Sequence, residues 1–126
     1  MIWKFLKHKQ LFENDVITEI NYSFEKLTKL PYLPDTLEIL NCSNNNLTKI
    51  TNLPEPLESL DCSDNPNLSF LLLPDNIEDI TITNTNLPYD DIDEYEEWFE
   101  NEFNEENYPE EYAEYLKKEK IIDFNL

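Results

Sequence analysis

Residues 33–70 read LPDTLEILNCSNNNLTKITNLPEPLESLDCSDNPNLSF, and the second half of that stretch answers the first at an offset of 20 residues. Leu33-Pro34 returns as Leu53-Pro54, Leu37 and Leu40 return as Leu57 and Leu60, and Asn41-Cys42-Ser43 returns as Asp61-Cys62-Ser63. Carried outward in both directions, the same offset aligns four copies. Ile17, Leu37, Leu57 and Ile77 share the first position, Ile20, Leu40, Leu60 and Ile80 the fourth, and Tyr22, Cys42, Cys62 and Ile82 the sixth. Glu25, Asn45, Asn65 and Thr85 take the ninth. Leu27, Leu47, Leu68 and Leu87 follow near the eleventh, Leu68 one place late behind Pro66-Asn67. Leu30, Ile50 and Phe70 continue the apolar column, and Leu-Pro recurs at 33–34, 53–54 and 73–74.

Apolar residues at positions one, four and six, the last two alternating, suit a short strand with one inward face. The rest of each repeat must return the chain to the next strand. Pro31, Pro34, Pro54, Pro56 and Pro74 lie in that return and oppose helix there, favouring an extended path. No repeat can enclose its own leucines, so neighbours must stack at strand spacing, about 4.7–4.9 Å, and share one apolar column. The expectation is an α/β solenoid with about four parallel strands over residues 16–88.

Two sets of residues within the repeats invite a chemical role and have a plainer one. Cys42 and Cys62 stack in one inward column, where a disulfide is conceivable, but buried cysteine behaves as a small hydrophobe and core thiols are the expectation. Asn45 and Asn65 could be ligands, yet a side-chain amide at the ninth position suits the backbone groups of a tight turn. The chain has no glycine and sixteen asparagines, and asparagine is the non-glycine residue that best tolerates left-handed backbone.

With its 20-residue period and the run KLPYLPDTLEIL at 29–40, the chain resembles the leucine-rich-repeat proteins. It is similar in particular to the short bacterial-type repeat found in secreted effector proteins. The resemblance implies a right-handed coil of parallel strands whose concave strand face binds another protein. It departs from that pattern in having asparagine at the ninth position only at Asn45 and Asn65, and in lacking the first proline of the pair in the second and third returns. Some such effectors carry a ubiquitin-ligase domain with a catalytic cysteine, but both cysteines here lie inside repeats, so that activity does not carry over.

Strand positions two, three, five, seven and eight are expected to face the concave side. They give the rows Thr18-Glu38-Glu58-Glu78, Asn21-Asn41-Asp61-Thr81 and Ser23-Ser43-Ser63-Thr83, a polar surface with an acidic stripe. From these rows Asn21, Glu38, Asn41, Ser43, Glu58, Asp61, Ser63, Glu78 and Thr81 are the candidate partner-binding residues. Each row can equally be a solvated face.

The ends read as caps. Residues 1–15 supply Ile2, Trp3, Phe5, Leu6, Leu11 and Phe12 to cover the first repeat. Residues 89–126 change pattern: Asp90 or Asp91 starts a helix with Ile92, Tyr95, Phe99 and Phe103 on one face, widened by Trp98. A second helix is expected from about Pro109, with Tyr112, Tyr115 and Leu116 inward, Lys117, Lys118 and Lys120 near its end, and IIDFNL at 121–126 as a short strand.

Charge narrows the partners. Acidic residues number 28 against 9 basic, a net charge of −19, and 12 of those negative charges fall in residues 89–126. Binding to a phosphate backbone or an anionic bilayer is therefore not expected, and a protein partner with a basic or polar surface is. The acidic region is either the solvated face of a cap or a second docking surface, with Glu96, Glu100 and Glu106 as its exposed carboxylates. In the latter case it could imitate nucleic acid in a basic groove. The lone His8 has no nucleophile partner in the pattern, and neither a phosphate loop nor histidine-cysteine metal spacing occurs. The expectation is a non-enzymatic binding module without cofactor; the alternatives are an acidic inhibitor or nucleic-acid mimic acting through the C-terminal region and a small structural subunit of a larger assembly. Residues 1–12 lack the apolar region and cleavage site of a secretory signal, which predicts a soluble protein of the cytoplasm.

Overall fold

The structure, a computed structural model, describes residues 16–124, with side chains through Glu119. The expected N-terminal cap of residues 1–15 lies outside the described residues. The elements run β1 (Glu19–Asn21), β2 (Ile39–Asn41), β3 (Lys49–Ile50), β4 (Ser59–Asp61), β5 (Phe70–Leu71), β6 (Asp79–Thr81), α1 (Ile92–Asn101) and α2 (Pro109–Phe124). The chain divides into two compact units between Asp90 and Asp91.

In the first unit the 20-residue period becomes a backbone register. β1, β2, β4 and β6 form a parallel sheet in that order. Ile20 pairs with Leu40, Leu40 with Leu60, and Leu60 with Ile80, each partner 20 residues on. The rungs continue past the strands, with Tyr22 N–H donating to Asn41 O, Cys42 N–H to Asp61 O and Cys62 N–H to Thr81 O. Each of these strands is three residues long, with its middle side chain turned toward the core.

The core is the set of inward columns. Leu37, Leu40, Cys42, Leu47, Leu57, Leu60, Cys62 and Leu68 are at most 1% exposed, while Ile17, Leu27, Ile77, Ile80 and Leu87 of the outer repeats are only half-buried. Interior repeats have a neighbour on both sides and outer ones do not. Both cysteines are free thiols within this core, as the sequence predicts.

Backbone conformation repeats as well. Phe24, Asn44, Asp64 and Asn84 all sit at φ of 56–58°, each at the eighth position. Asparagine and aspartate supply three of these left-handed turns, in line with the glycine-free composition, whereas phenylalanine supplies the fourth against a steric cost. Lys26, at φ 57°, is a further left-handed residue of the first repeat.

The return segments hold no helix but do hold a second parallel pairing, β3 with β5. Its register corrects the column drawn from sequence: Lys49 pairs with Phe70 and Ile50 with Leu71, so Leu71 and not Phe70 is the counterpart of Ile50. The residue gained at Pro66-Asn67 persists through β5. It is given back before Leu73-Pro74, because one residue separates Leu71 from Leu73 where two separate Ile50 from Leu53. The Leu-Pro turns then coincide again: Leu37, Leu57 and Ile77 N–H donate to Pro34, Pro54 and Pro74 O.

Tyr89 closes the first unit. It is 3% exposed, and its hydroxyl donates to Leu71 O at 2.7 Å, so the unit extends past the expected boundary at residue 88.

The second unit is a helix pair around an aromatic cluster. Asp91 caps α1, its carboxylate accepting from Glu94 N–H at 2.8 Å. Tyr95, Trp98 and Phe103 are buried. Trp98 stacks on Phe103 at 5.5 Å between ring centroids, and Phe103 meets Tyr112 and Tyr115 of α2 edge-on at 5.2 and 5.4 Å. The Trp98 indole N–H donates to the Tyr108 hydroxyl at 3.2 Å. One expectation fails here. α2 runs on through Phe124, so residues 121–124 are helix and not a strand, and its last turn holds no basic residue. Lys117 and Lys118 therefore do not sit at the terminal carbonyls. No helix among the described residues is long and apolar enough to cross a membrane.

Candidate functional site

The outward side chains of the four-stranded sheet are those that flank the core column, at the third and fifth positions, and the second position lies at the entry to each strand. Thr18, Glu38, Glu58 and Glu78, at the second position, are all exposed. Their main chains are joined directly: Glu38 N–H donates to Thr18 O, Glu58 N–H to Glu38 O and Glu78 N–H to Glu58 O, each at 2.8 Å. The three glutamates thus stand on adjacent rungs, in a stripe. The third position adds the rung Glu19, Ile39, Ser59 and Asp79. Across four strands the face measures roughly 15–20 Å.

At the fifth position Asn21 and Thr81 are exposed, while Asn41 and Asp61 are half-buried. They are occupied on one side by their own chain. Asn41 Oδ1 accepts from Ser43 N–H at 3.0 Å and from Ser43 Oγ at 2.7 Å, and Asp61 Oδ1 repeats this with Ser63 at 3.1 and 2.6 Å. Asn21 and Ser23 form the same pair in the first repeat. This side-chain turn ends β1, β2 and β4 and precedes the left-handed residue that follows each.

The seventh position departs from the expected outward row. Ser43 and Ser63 are 6% and 7% exposed, their hydroxyls spent on Asn41 and Asp61, so neither is presented to a partner. The reason is local. The Asx-x-Ser spacing folds the serine back over the strand end, and that spacing, present three times at 21–23, 41–43 and 61–63, was the signal available in the sequence.

Beneath this face lie the ninth-position asparagines. Asn45 Oδ1 accepts from Glu25 and Leu27 N–H, both at 3.0 Å, and its amide donates to Tyr22, Cys42 and Ser43 O. Asn65 accepts from Leu47 N–H and donates to Cys42, Cys62 and Ser63 O. Each amide ties its own turn to the repeat before it, and at 5% and 0% exposure neither Asn45 nor Asn65 is presented to a ligand. The two cysteines are equally committed. Burial pushes the Cys62 thiol up to about 12, with Asp61 adding, and raises Cys42 further, with Cys62 and Asp61 adding. Neither is a ready nucleophile.

Glu96, Glu100 and Glu106, the secondary acidic candidates, are exposed on the second unit, Glu96 and Glu100 on α1 and Glu106 in the turn after it. Among the described residues no group of three histidine, cysteine or acidic side chains is placed to hold a metal ion. Sequence reasoning passed over Ile39, the one large apolar side chain at the second, third and fifth positions, which is 43% exposed; Phe24, at the eighth, is 75% exposed. Comparison with protein-family models, with curated proteins and with solved structures returned no match to this chain.

Proposed function

We propose that the chain is a small leucine-rich-repeat solenoid that works without catalysis, docking another protein on the concave strand face of residues 16–88. The partner is a protein with a basic surface. What carries this is a single observation: Glu38, Glu58 and Glu78 stand exposed on adjacent, directly bonded rungs. Like charges side by side on neighbouring strands destabilise a sheet, and a cationic partner laid across them converts that cost into affinity. Thiols and amides that could be mistaken for chemistry are consumed by the core, as described above. The face is wide enough for one helix or one extended segment.

Affinity capture tests this with three forms of the full chain as bait. Wild type and a Glu96→Gln/Glu100→Gln/Glu106→Gln variant should retain the same partner, and a Glu38→Lys/Glu58→Lys/Glu78→Lys variant should lose it. The opposite pattern would move the function to the acidic helices and favour a nucleic-acid mimic.

A further inference from the structure

Ile39 is the large apolar side chain that the second, third and fifth positions leave partly in water, at 43% exposure. It lies on β2, an interior strand, in register with Glu19 on one side and Ser59 on the other. The core beneath is already filled by Leu37 and Leu40, which are 0% and 1% exposed. Around it on the second, third and fifth positions every charged side chain is a carboxylate: Glu19, Glu38, Glu58, Asp61, Glu78 and Asp79. An apolar side chain at the middle of a charged rim is the arrangement in which a few dried contacts supply affinity while the rim supplies orientation.

We propose that Ile39 is the apolar anchor of the docking face, and that its occupant is a segment of another protein in which an apolar side chain is flanked by lysine or arginine; this rests on the docking function proposed above. The apolar side chain seats on Ile39. Its neighbouring cations reach the carboxylates of Glu38 and Glu58 on one side and of Glu19 and Asp79 along the same rung. A nucleic-acid strand is repelled by the same carboxylates, and a cation-only segment leaves Ile39 in water. The plainer account of Ile39 is that a β-branched residue favours a strand whatever binds it. Threonine is also β-branched, so Ile39→Thr separates the two.

The probes are two fluorescein-labelled synthetic peptides of equal length and charge, one alternating lysine with leucine and the other lysine with serine. Each is titrated with the full-length protein and followed by anisotropy. The leucine peptide should bind wild type about tenfold more tightly than the serine peptide, the gain expected from drying one aliphatic contact. In Ile39→Thr that advantage should fall to about twofold or less, with the circular dichroism spectrum retained. If both peptides bind wild type equally, or the advantage survives in Ile39→Thr, Ile39 is not the anchor and the acidic face still stands. If neither peptide binds, or binding is undiminished in Glu38→Gln/Glu58→Gln/Glu78→Gln, the docking function falls and the anchor with it.

Discussion

At the scale of the residue, the four left-handed turns form an internal experiment. Asn44, Asp64 and Asn84 adopt φ of 56° with side chains suited to it, whereas Phe24 holds φ 58° with its ring 75% exposed, so burial does not offset the backbone cost. Phe24→Asn should raise stability by about 1 kcal/mol, read as a higher urea midpoint; a lower midpoint would show that the ring is needed by the fold. Tyr22 is the second exception. It is 1% exposed and its hydroxyl has no hydrogen-bond partner among the described residues, so in urea denaturation Tyr22→Phe should cost nothing whereas Tyr22→Ala should cost about 3–5 kcal/mol. The thiols predict a pH dependence with a definite sign. A thiol whose ionisation is raised by folding holds its stabilising contribution below its ordinary value near 9.0 and loses it as pH climbs toward the folded value of about 12. Melting temperature should therefore fall across that window more steeply in wild type than in Cys42→Ala/Cys62→Ala, and equal slopes would mean that the thiols are not buried.

At the scale of the element, each rung depends on the next. Leu60→Ala opens a cavity between two filled neighbours and should cost about 2–5 kcal/mol, while Asn65→Ala strands Leu47 N–H and three carbonyl groups and should cost on the order of 3 kcal/mol. Chemical denaturation of the two variants checks both. A value below 1 kcal/mol for Asn65→Ala would mean that water replaces the amide. The parallel register was legible in the sequence because inward positions admit only apolar residues, so a 20-residue backbone period had to surface as columns such as Ile20, Leu40, Leu60 and Ile80. The register of β3 against β5 was not. An insertion at Pro66-Asn67 and a deletion after Leu71 cancel, leaving the total length unchanged and both Phe70 and Leu71 apolar. The extent of α2 was obscured for a related reason: Ile121, Ile122 and Phe124 suit strand and helix equally over so short a run, and the helix already begun at Pro109 continued. Among the candidate site residues, exposure of Glu38, Glu58 and Glu78 did not follow from alternation, which would set them on the side of Leu40, Leu60 and Ile80; it follows from their place one residue before each strand begins. The inward turn of Ser43 and Ser63 followed from side-chain hydrogen bonds, which alternation does not describe.

At the scale of the whole molecule, two acidic surfaces are candidates for the docking proposed above. Residues 89–126 hold 12 of the 19 net negative charges, but the carboxylates of described side chains there, half-buried Glu111 apart, are spread along exposed helix and turn positions, where salt screens them. The stripe on the sheet has fewer charges held at fixed strand spacing. Neutralising Glu96, Glu100 and Glu106 should accordingly slow association and flatten its salt dependence while leaving affinity within about tenfold, or 1.4 kcal/mol, of wild type. Stopped-flow association at several salt concentrations reads this directly, and a loss of several hundredfold with the fold retained would make the helices the docking surface. The most direct test of the central claim is carboxyl footprinting of the captured complex, in which exposed carboxylates are amidated with and without partner and quantified by mass spectrometry. Glu38, Glu58 and Glu78 should lose reactivity in the complex while Glu96, Glu100 and Glu106 keep theirs. Protection of the helical glutamates with the sheet stripe still fully reactive would contradict the account.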